Sequence, residues 1–365
     1  MVDQRIEKLA KLCVHYSVDL QPKEKVIITG HVQTFPLIKE IYRECLLSDG
    51  YPLVRPSFDL NYTFFKHAKN HQLKYISPFS RFLVETMDVS IGVWCRPNPK
   101  ELTNIDPARI KMFGASRREI SEIFNKRAAD KQLKWTGLPY PITAQAQEAA
   151  MSLAEYEDFV YTSCLVHKRD PIAEWKKISQ QQARICAYLD KVGQIHMTGE
   201  DTDITFNVRG RKWINSDGKR NMPSGEVFTA PIENSVNGTV RFTYPGIYAG
   251  REVEDIKLTF KDGKVTKASA AKGDELLQQL LTIEGANRIG EAAIGTNYRI
   301  TRFTKNMLFD EKMGGTIHIA LGNSYPETGG LNKSGIHWDI LKDMKKDGRI
   351  YADGELFYKD GKLLI

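Results

Sequence analysis

The stretch KVIITGHVQTFPLIKEIYREC, residues 25–45, decides the fold of the first half of the chain. Lys25–Thr29 is a short apolar run ending at Gly30, the pattern of a parallel strand buried on both faces. Thr34 is placed to cap a following helix, with Pro36 in its first turn and Leu37, Ile38, Ile41, Tyr42 and Cys45 on one face. Working outward, residues 4–17 put Ile6, Leu9, Ala10, Cys13 and Val14 at helical spacing, and Tyr51–Arg55 gives a second strand after Gly50. Asp88–Cys95 reads as a third strand and Arg109–Gly114 as a fourth, before a helix beginning near Ser116. Residues 143–190 read as two helices, the second starting at Pro171. Strand and helix in alternation predict an α/β domain with a parallel sheet over residues 1–190.

From about residue 191 the character changes to short alternating segments separated by Gly, Asp and Asn. Strands are predicted at Val192–Met197, Asp203–Val208, Glu226–Thr229, Thr239–Thr243, Lys257–Lys261 and Val265–Ser269, with one helix at Asp274–Ile283. Asp262-Gly263, Asp353-Gly354 and Asp360-Gly361 are hairpin signals. Residues 191–365 are thus expected to form a mixed α+β domain rich in antiparallel strands. A length of 365 residues suits two such domains, each with its own core.

Composition removes several function classes. The net charge of +7 is spread thinly: residues 1–190 hold 27 basic and 22 acidic groups, and residues 191–365 hold 25 and 23. Without a basic run or a basic-aromatic stripe, nucleic-acid binding is not indicated. No apolar run is long enough to span a membrane, and the N-terminal residues lack a signal peptide's apolar core, so a cytoplasmic protein is expected. The five cysteines form no CxxC pair, which argues against a disulfide framework and a thiolate zinc site. The turn after the first strand has one glycine where a dinucleotide fingerprint needs three.

The chemistry concentrates near the end of the chain, in HIALGNSYPETGGLNKSGIHWD, residues 318–339. His337 and Asp339 have i, i+2 spacing, so on a strand both point to one face, and imidazole beside carboxylate is a metal-ligand pairing. Two more acids sit among small or apolar neighbours: Glu226 in NMPSGEVFTAP and Glu291 in RIGEAAIGTN. A carboxylate in such a setting tends toward burial and then needs a partner. With His318 these make five candidate ligands, a count that suits two divalent ions sharing one carboxylate, roughly 3.5–4 Å apart in two-metal sites. Taken singly, Glu226 also reads as a surface residue, His318 as a core-edge histidine, and Tyr325 as a packing tyrosine. Lesser candidates are Asp201 with Asp203, His31, Glu252 with Glu254, and Arg302 with Lys305, each of which also has a plain structural reading.

The segments NMPSGEVFTAP (221–231), GEAAIGTN (290–297), HIALGNSYP (318–326) and GGLNKSGIHWD (329–339) together resemble the aminopeptidase T family of metallo-aminopeptidases. The resemblance is specific over the C-terminal half and looser over the first. It implies that Glu226, Glu291, His318, His337 and Asp339 are metal ligands, with Glu291 bridging two ions and Tyr325 catalytic. It also implies a cytoplasmic homodimer acting on peptides with a free N-terminus. Oxygen and imidazole donors admit zinc, cobalt, manganese or magnesium. Two other readings stay open from the residues alone: a metal-dependent amidase or deacylase acting on non-peptide amides, and a non-catalytic metal-containing binding protein.

Overall fold

The computed structural model describes residues 3–364. The chain divides into two compact units, Met1–Ile172 with Gly218–Pro223, and Ala173–Asp217 with Ser224–Ile365. The helix Pro171–Leu189 falls almost wholly in the second unit, because Ile185, Cys186 and Leu189 are part of that unit's hydrophobic core.

The first unit is built on four parallel strands, Lys25–His31, Tyr51–Ser57, Val89–Trp94 and Lys134–Pro139, with the Lys25 strand between the Tyr51 and Val89 strands. Val26, Ile28, Val89 and Ile91 are fully buried, as the apolar runs predict. The helices Gln4–Leu12 and Phe35–Leu47 pack against each other, the first continuing into a wider π turn at Cys13–Ser17. Residues 143–190 form three helices rather than two, Thr143–Glu148, Leu153–Ser163 and Pro171–Leu189, and two further local expectations need correction. Thr34 does not cap the helix after it; its hydroxyl donates to the His31 carbonyl at 2.7 Å. Arg109–Gly114 is not a strand but lies inside the helix Pro107–Ser116, started by Pro107 and by Asp106, whose carboxylate accepts from the Ala108 N–H at 2.9 Å. The fourth strand lies further on, at Lys134–Pro139.

The second unit contains two larger antiparallel sheets. The eight-stranded one runs, edge to edge, Lys264–Ser269, Lys257–Lys261, Asn237–Arg241, Thr202–Asn207, Gln194–Gly199, Arg349–Ala352, Glu355–Lys359, Lys362–Leu363. The five-stranded one runs His337–Asp343, Thr316–Gly322, Ile289–Gly295, Glu226–Thr229, Ile214–Ser216. One core draws on both: Met197, Ile204, Phe206 and Leu258 from the first, and Val227, Ile294, Ile319 and Ile340 from the second. The helix Asp274–Leu281 adds Leu276, Leu277 and Leu280.

The three Asp-Gly pairs turn the hairpins as expected. At each, both residues have positive φ: 49° and 78° at Asp262-Gly263, 49° and 89° at Asp353-Gly354, 47° and 81° at Asp360-Gly361. That is the turn whose twist matches flanking strands. The surroundings of the glycines differ. A Cβ at Gly354 would meet nothing within 4 Å, whereas one at Gly263 would lie 1.7 Å from the Glu233 carbonyl oxygen. Gly354→Ala should therefore cost only the left-handed strain, about 1–2 kcal/mol. Gly263→Ala adds a backbone collision and should cost at least about 3 kcal/mol. Urea unfolding of the two variants checks the order, and equal losses would contradict it.

Candidate metal centre

The five-stranded sheet sorts its side chains by alternation. Along Thr316–Gly322, Ile317, Ile319 and Leu321 enter the core, so His318 and Ala320 face the other way. Ala320 is paired with Glu291 on one side and with Asp339 on the other. Gly322 is opposite His337, and Gly295 is opposite Glu226. All five candidate ligands thus share one face, and the residues between them are glycine and alanine, which leave room for converging side chains.

Two local features aim the acids. Gly225, with φ at 118°, turns the chain into the Glu226 strand so close to Asn297 that a Cβ would sit 2.7 Å from the Asn297 Cβ. The Glu291 strand carries a bulge: Ile289 is opposite Leu321, yet Glu291 is opposite Ala320. Without that extra residue, Ile289 and Glu291 would share a face; with it, Ile289 enters the core and Glu291 turns to the ligand side. The bulge residue is Gly290, where a Cβ would lie 2.3 Å from the Asn323 carbonyl oxygen.

The side chains converge closely. His318 Nε2 is 3.2 Å from Glu291 Oε1 and 3.6 Å from Glu226 Oε2. His337 Nε2 is 3.4 Å from both Glu291 Oε2 and Asp339 Oδ1. The two oxygens of Glu291 therefore face different histidines. Two triplets, Glu226-Glu291-His318 and Glu291-His337-Asp339, each bring ligand atoms within 4.8 Å of one another. His337 Nδ1 lies 2.8 Å from the Asn323 carbonyl, a bond to which it donates, so in the neutral ring Nε2 is left as the ligating lone pair. Glu226 Oε2 is buried with no hydrogen-bond partner, as an atom reserved for a cation would be. The donor set fits a divalent metal.

The family model of the thermophilic metalloprotease family (M29) matches residues 2–363. The chain belongs to this family. Among its relatives, Aminopeptidase 2 of Geobacillus stearothermophilus is 29% identical, over 97% of this chain and 95% of its own length. Aminopeptidase T of Thermus thermophilus is 25% identical over 96% of each. The solved structure of wild-type AmpT from Thermus thermophilus superposes with a TM-score of 0.87 over 99% of both chains at 23% identity, which shows a common fold. As a member of the metalloprotease family, the chain is a peptide hydrolase. No helix among the described residues is long and apolar enough to cross a membrane.

In this metalloprotease the electrostatics centre on crowded acids. Burial raises the Glu226 carboxyl above its ordinary range, against the pull of Lys312. Burial also acts to raise Glu291, but hydrogen bonds from His318 and His337 outweigh it and hold the carboxyl low. Asp339 is likewise opposed by burial and drawn down to about 2 by the His337 charge. Burial disfavours charge on both imidazoles, yet the carboxylates win: Glu291 and Glu226 hold His318 up at about 9, and Asp339 and Glu291 hold His337 up at about 12.

Two site residues were not foreseen from sequence. Lys312 is fully buried, 3.6 Å from Glu226 and in ion contact with Glu311; burial would strip its proton, but those two carboxylates raise its pKa. The Glu311 carboxyl is pushed by burial up to about 7, despite Lys312. In FDEKMGG (309–315) an acidic pair followed by lysine reads as a solvated turn. The apolar Phe309 and Met313 flanking it were the available sign of burial. Tyr325 is 41% exposed and packs its ring 4.9 Å from His337 and 5.7 Å from Phe228. Partial removal of its hydroxyl from water, and then the Glu291 and Asp339 charges, raise its pKa, so the phenol stays protonated.

Most of the lesser candidates stand away from the metal-centre residues in pairs or turns of their own. Asp201 pairs with Lys257 at 2.9 Å and Asp203 with His196 at 2.8 Å. Glu252 pairs with Lys305 at 2.8 Å, and Glu254 with Lys272. His31 accepts from the Gln33 N–H at 3.3 Å in the turn after its strand.

Both histidines have folded pKa values above the ordinary 6.5. Their protonated forms therefore stabilise the metal-free protein fully below about pH 6.5, and that contribution fades as pH rises through about 9 and then about 12. A metal needs the neutral rings. Adding zinc to metal-free protein at pH 7 should release about two protons, and affinity should fall as pH falls. Pulse titration in weak buffer measures the release; none at all would show that the rings are already neutral. Lys312→Met leaves Glu226 and Glu311 buried without their cation, and should lower stability by about 3–5 kcal/mol without metal. Added zinc should recover much of that loss. Thermal unfolding with and without zinc checks it, and a loss that zinc leaves unchanged would contradict the placement of Lys312 beside a ligand carboxylate.

Proposed function

We propose that this protein is an aminopeptidase that removes N-terminal residues from peptides with the help of two divalent ions held on the ligand face of the five-stranded sheet. The observation that carries the two-ion reading is Glu291, whose two oxygens face different histidines and which belongs to both ligand triplets. Glu226 and His318 would complete one ion's protein ligands, and His337 and Asp339 the other's. Zinc, cobalt, manganese and magnesium all suit this oxygen and imidazole set. Two such ions supply Lewis acidity and lower the pKa of water toward neutrality.

The chain's own groups do the rest. Tyr325, protonated and beside His337, donates a hydrogen bond to the oxyanion that forms as the scissile carbonyl is attacked. Glu311, poised near pH 7 beside the ligand carboxylates, takes a proton from the attacking water and returns it to the leaving amine. Lys312 fixes Glu311 and Glu226 in place. The chemistry resides in residues 191–365. A cytoplasmic homodimer is the proposed setting; five free cysteines, four of them buried, suit a reducing compartment. The named relatives favour peptides over non-peptide amides. A protonated phenol and a carboxyl poised near neutrality would be idle in a protein that only binds.

The deciding experiment strips metal with chelator and adds back each divalent ion with a leucyl chromogenic amide, free or blocked at its amine. Activity should return with metal and only on the free amine; equal activity on the blocked amide would favour the amidase reading. Tyr325→Phe should lower kcat about 10²–10³-fold with metal content unchanged. Glu291→Gln should lose one bound ion and nearly all activity while remaining folded, and two ions retained in that variant would refute the bridging role.

A further inference from the structure

The first unit holds a cavity of about 400 Å³ that shares no residue with the metal centre. It lies against one face of the parallel sheet. Ile27, Thr29 and Ser90 form its floor, and helices Pro78–Thr86 and Arg118–Ala129 supply Leu83, Val84 and Phe124 as an apolar wall. Parallel sheets are normally covered on both faces. Here Ile27 is opposite Leu53 and Thr29 is opposite Arg55, so the outer strand continues the cavity floor, yet Leu53 is 47% exposed. The face is left open where the strand carries an arginine.

The charged groups lining this cavity are all of one sign. Arg55 and Arg117 line it, and neither meets a carboxylate among the described residues. Arg117 rests against the Phe113 ring and donates to the Leu73 and Phe113 carbonyls at 3.4 and 3.3 Å. Burial lowers its pKa, and no counter-charge restores it. The hydroxyls of Ser77, Ser80 and Ser90 also line the cavity and make no hydrogen bond among the described residues. No aspartate or glutamate lines it. Unanswered guanidinium charge, free hydroxyl donors and an apolar wall meet in a space of small-ligand size.

We propose that this cavity binds a small organic anion, with its anionic head at Arg55 and Arg117 and a hydrocarbon body against Leu83, Val84 and Phe124. Free amino acids are a poor match, because their ammonium group would find no carboxylate and would face two guanidinium charges. The ligand class is therefore distinct from what an aminopeptidase releases, and the site stands whether or not the two-ion reading does. Carboxylate and phosphate heads share the required chemistry, since both take bidentate hydrogen bonds from arginine.

The test is calorimetric titration of the full chain with octanoate, octyl phosphate, octanol and leucine, each with and without chelator. At least one of the two anions should bind one per chain with a Kd between about 10 µM and 1 mM. Chelator should make no difference, while octanol and leucine should bind at least about tenfold more weakly. Which anion binds more tightly identifies the head group. Arg55→Gln, a change at an exposed position, should weaken the anion about tenfold, and Ser80→Phe should abolish binding by filling the cavity. Peptide hydrolysis should be unchanged in both variants. Absence of binding by both anions, equal binding of octanol, or binding that survives in both variants would overturn the proposal.

Discussion

The second unit is organised around a concentration of like charge. Glu226, Glu291, Glu311 and Asp339 come together on one side of a sheet whose other side is hydrocarbon. Four carboxylates so placed repel one another in a medium that screens poorly, and each has been taken out of water. The structure sets cationic groups among the acids: Lys312 between Glu226 and Glu311, and the His318 and His337 imidazoles beside Glu291 and Asp339, whose charges favour the protonated rings. Burial meanwhile pushes the Glu226 and Glu311 carboxyls toward their neutral forms, which lessens the negative charge the cations must offset.

The sheet holds this charge in register through backbone rather than through side-chain contact. Alternation gives one face to isoleucine and valine and the other to the ligands, so a slip of one residue in any strand would exchange them. Ala320 lies in register between Glu291 and Asp339, while at Gly295 and Gly322 the chain passes so close to the Met313 and Ile336 carbonyl oxygens that a Cβ would lie 2.1 and 2.2 Å from them. At Gly225 and Gly290, each just before a glutamate, another side chain would also collide with neighbouring atoms.

Much of this was legible in the sequence for simple reasons of period. His337 and Asp339 share a face because a strand repeats every two residues, and the Asp-Gly pairs mark hairpins because only certain residues accept positive φ at low cost. The strand Lys25–His31 declared itself by an unbroken apolar run. Other features were hidden where period fails. Arg109–Gly114 mixes charged and apolar residues in a way that six residues cannot assign, and the helix is fixed by Asp106 and Pro107 just before it. The burial of Lys312 beside Glu311 was illegible because a charged pair pays no visible penalty in sequence; only the fold shows that the lysine answers both Glu311 and Glu226.

Glu291 combines both cases. Its flanking glycine and alanines pointed to burial, but strict alternation from Ile289 would have sent it into the hydrocarbon core, where an unpaired carboxylate is untenable. One extra residue in the strand reverses its direction, and the reversal places its two oxygens between two histidines on a neighbouring and a next-neighbouring strand. A carboxylate with one histidine at hand would complete a single cluster. Placed between two, it belongs to both the Glu226-Glu291-His318 and the Glu291-His337-Asp339 triplets. The bulge is thus the point at which an ordinary antiparallel sheet brings the two clusters of acids and imidazoles together around one carboxylate.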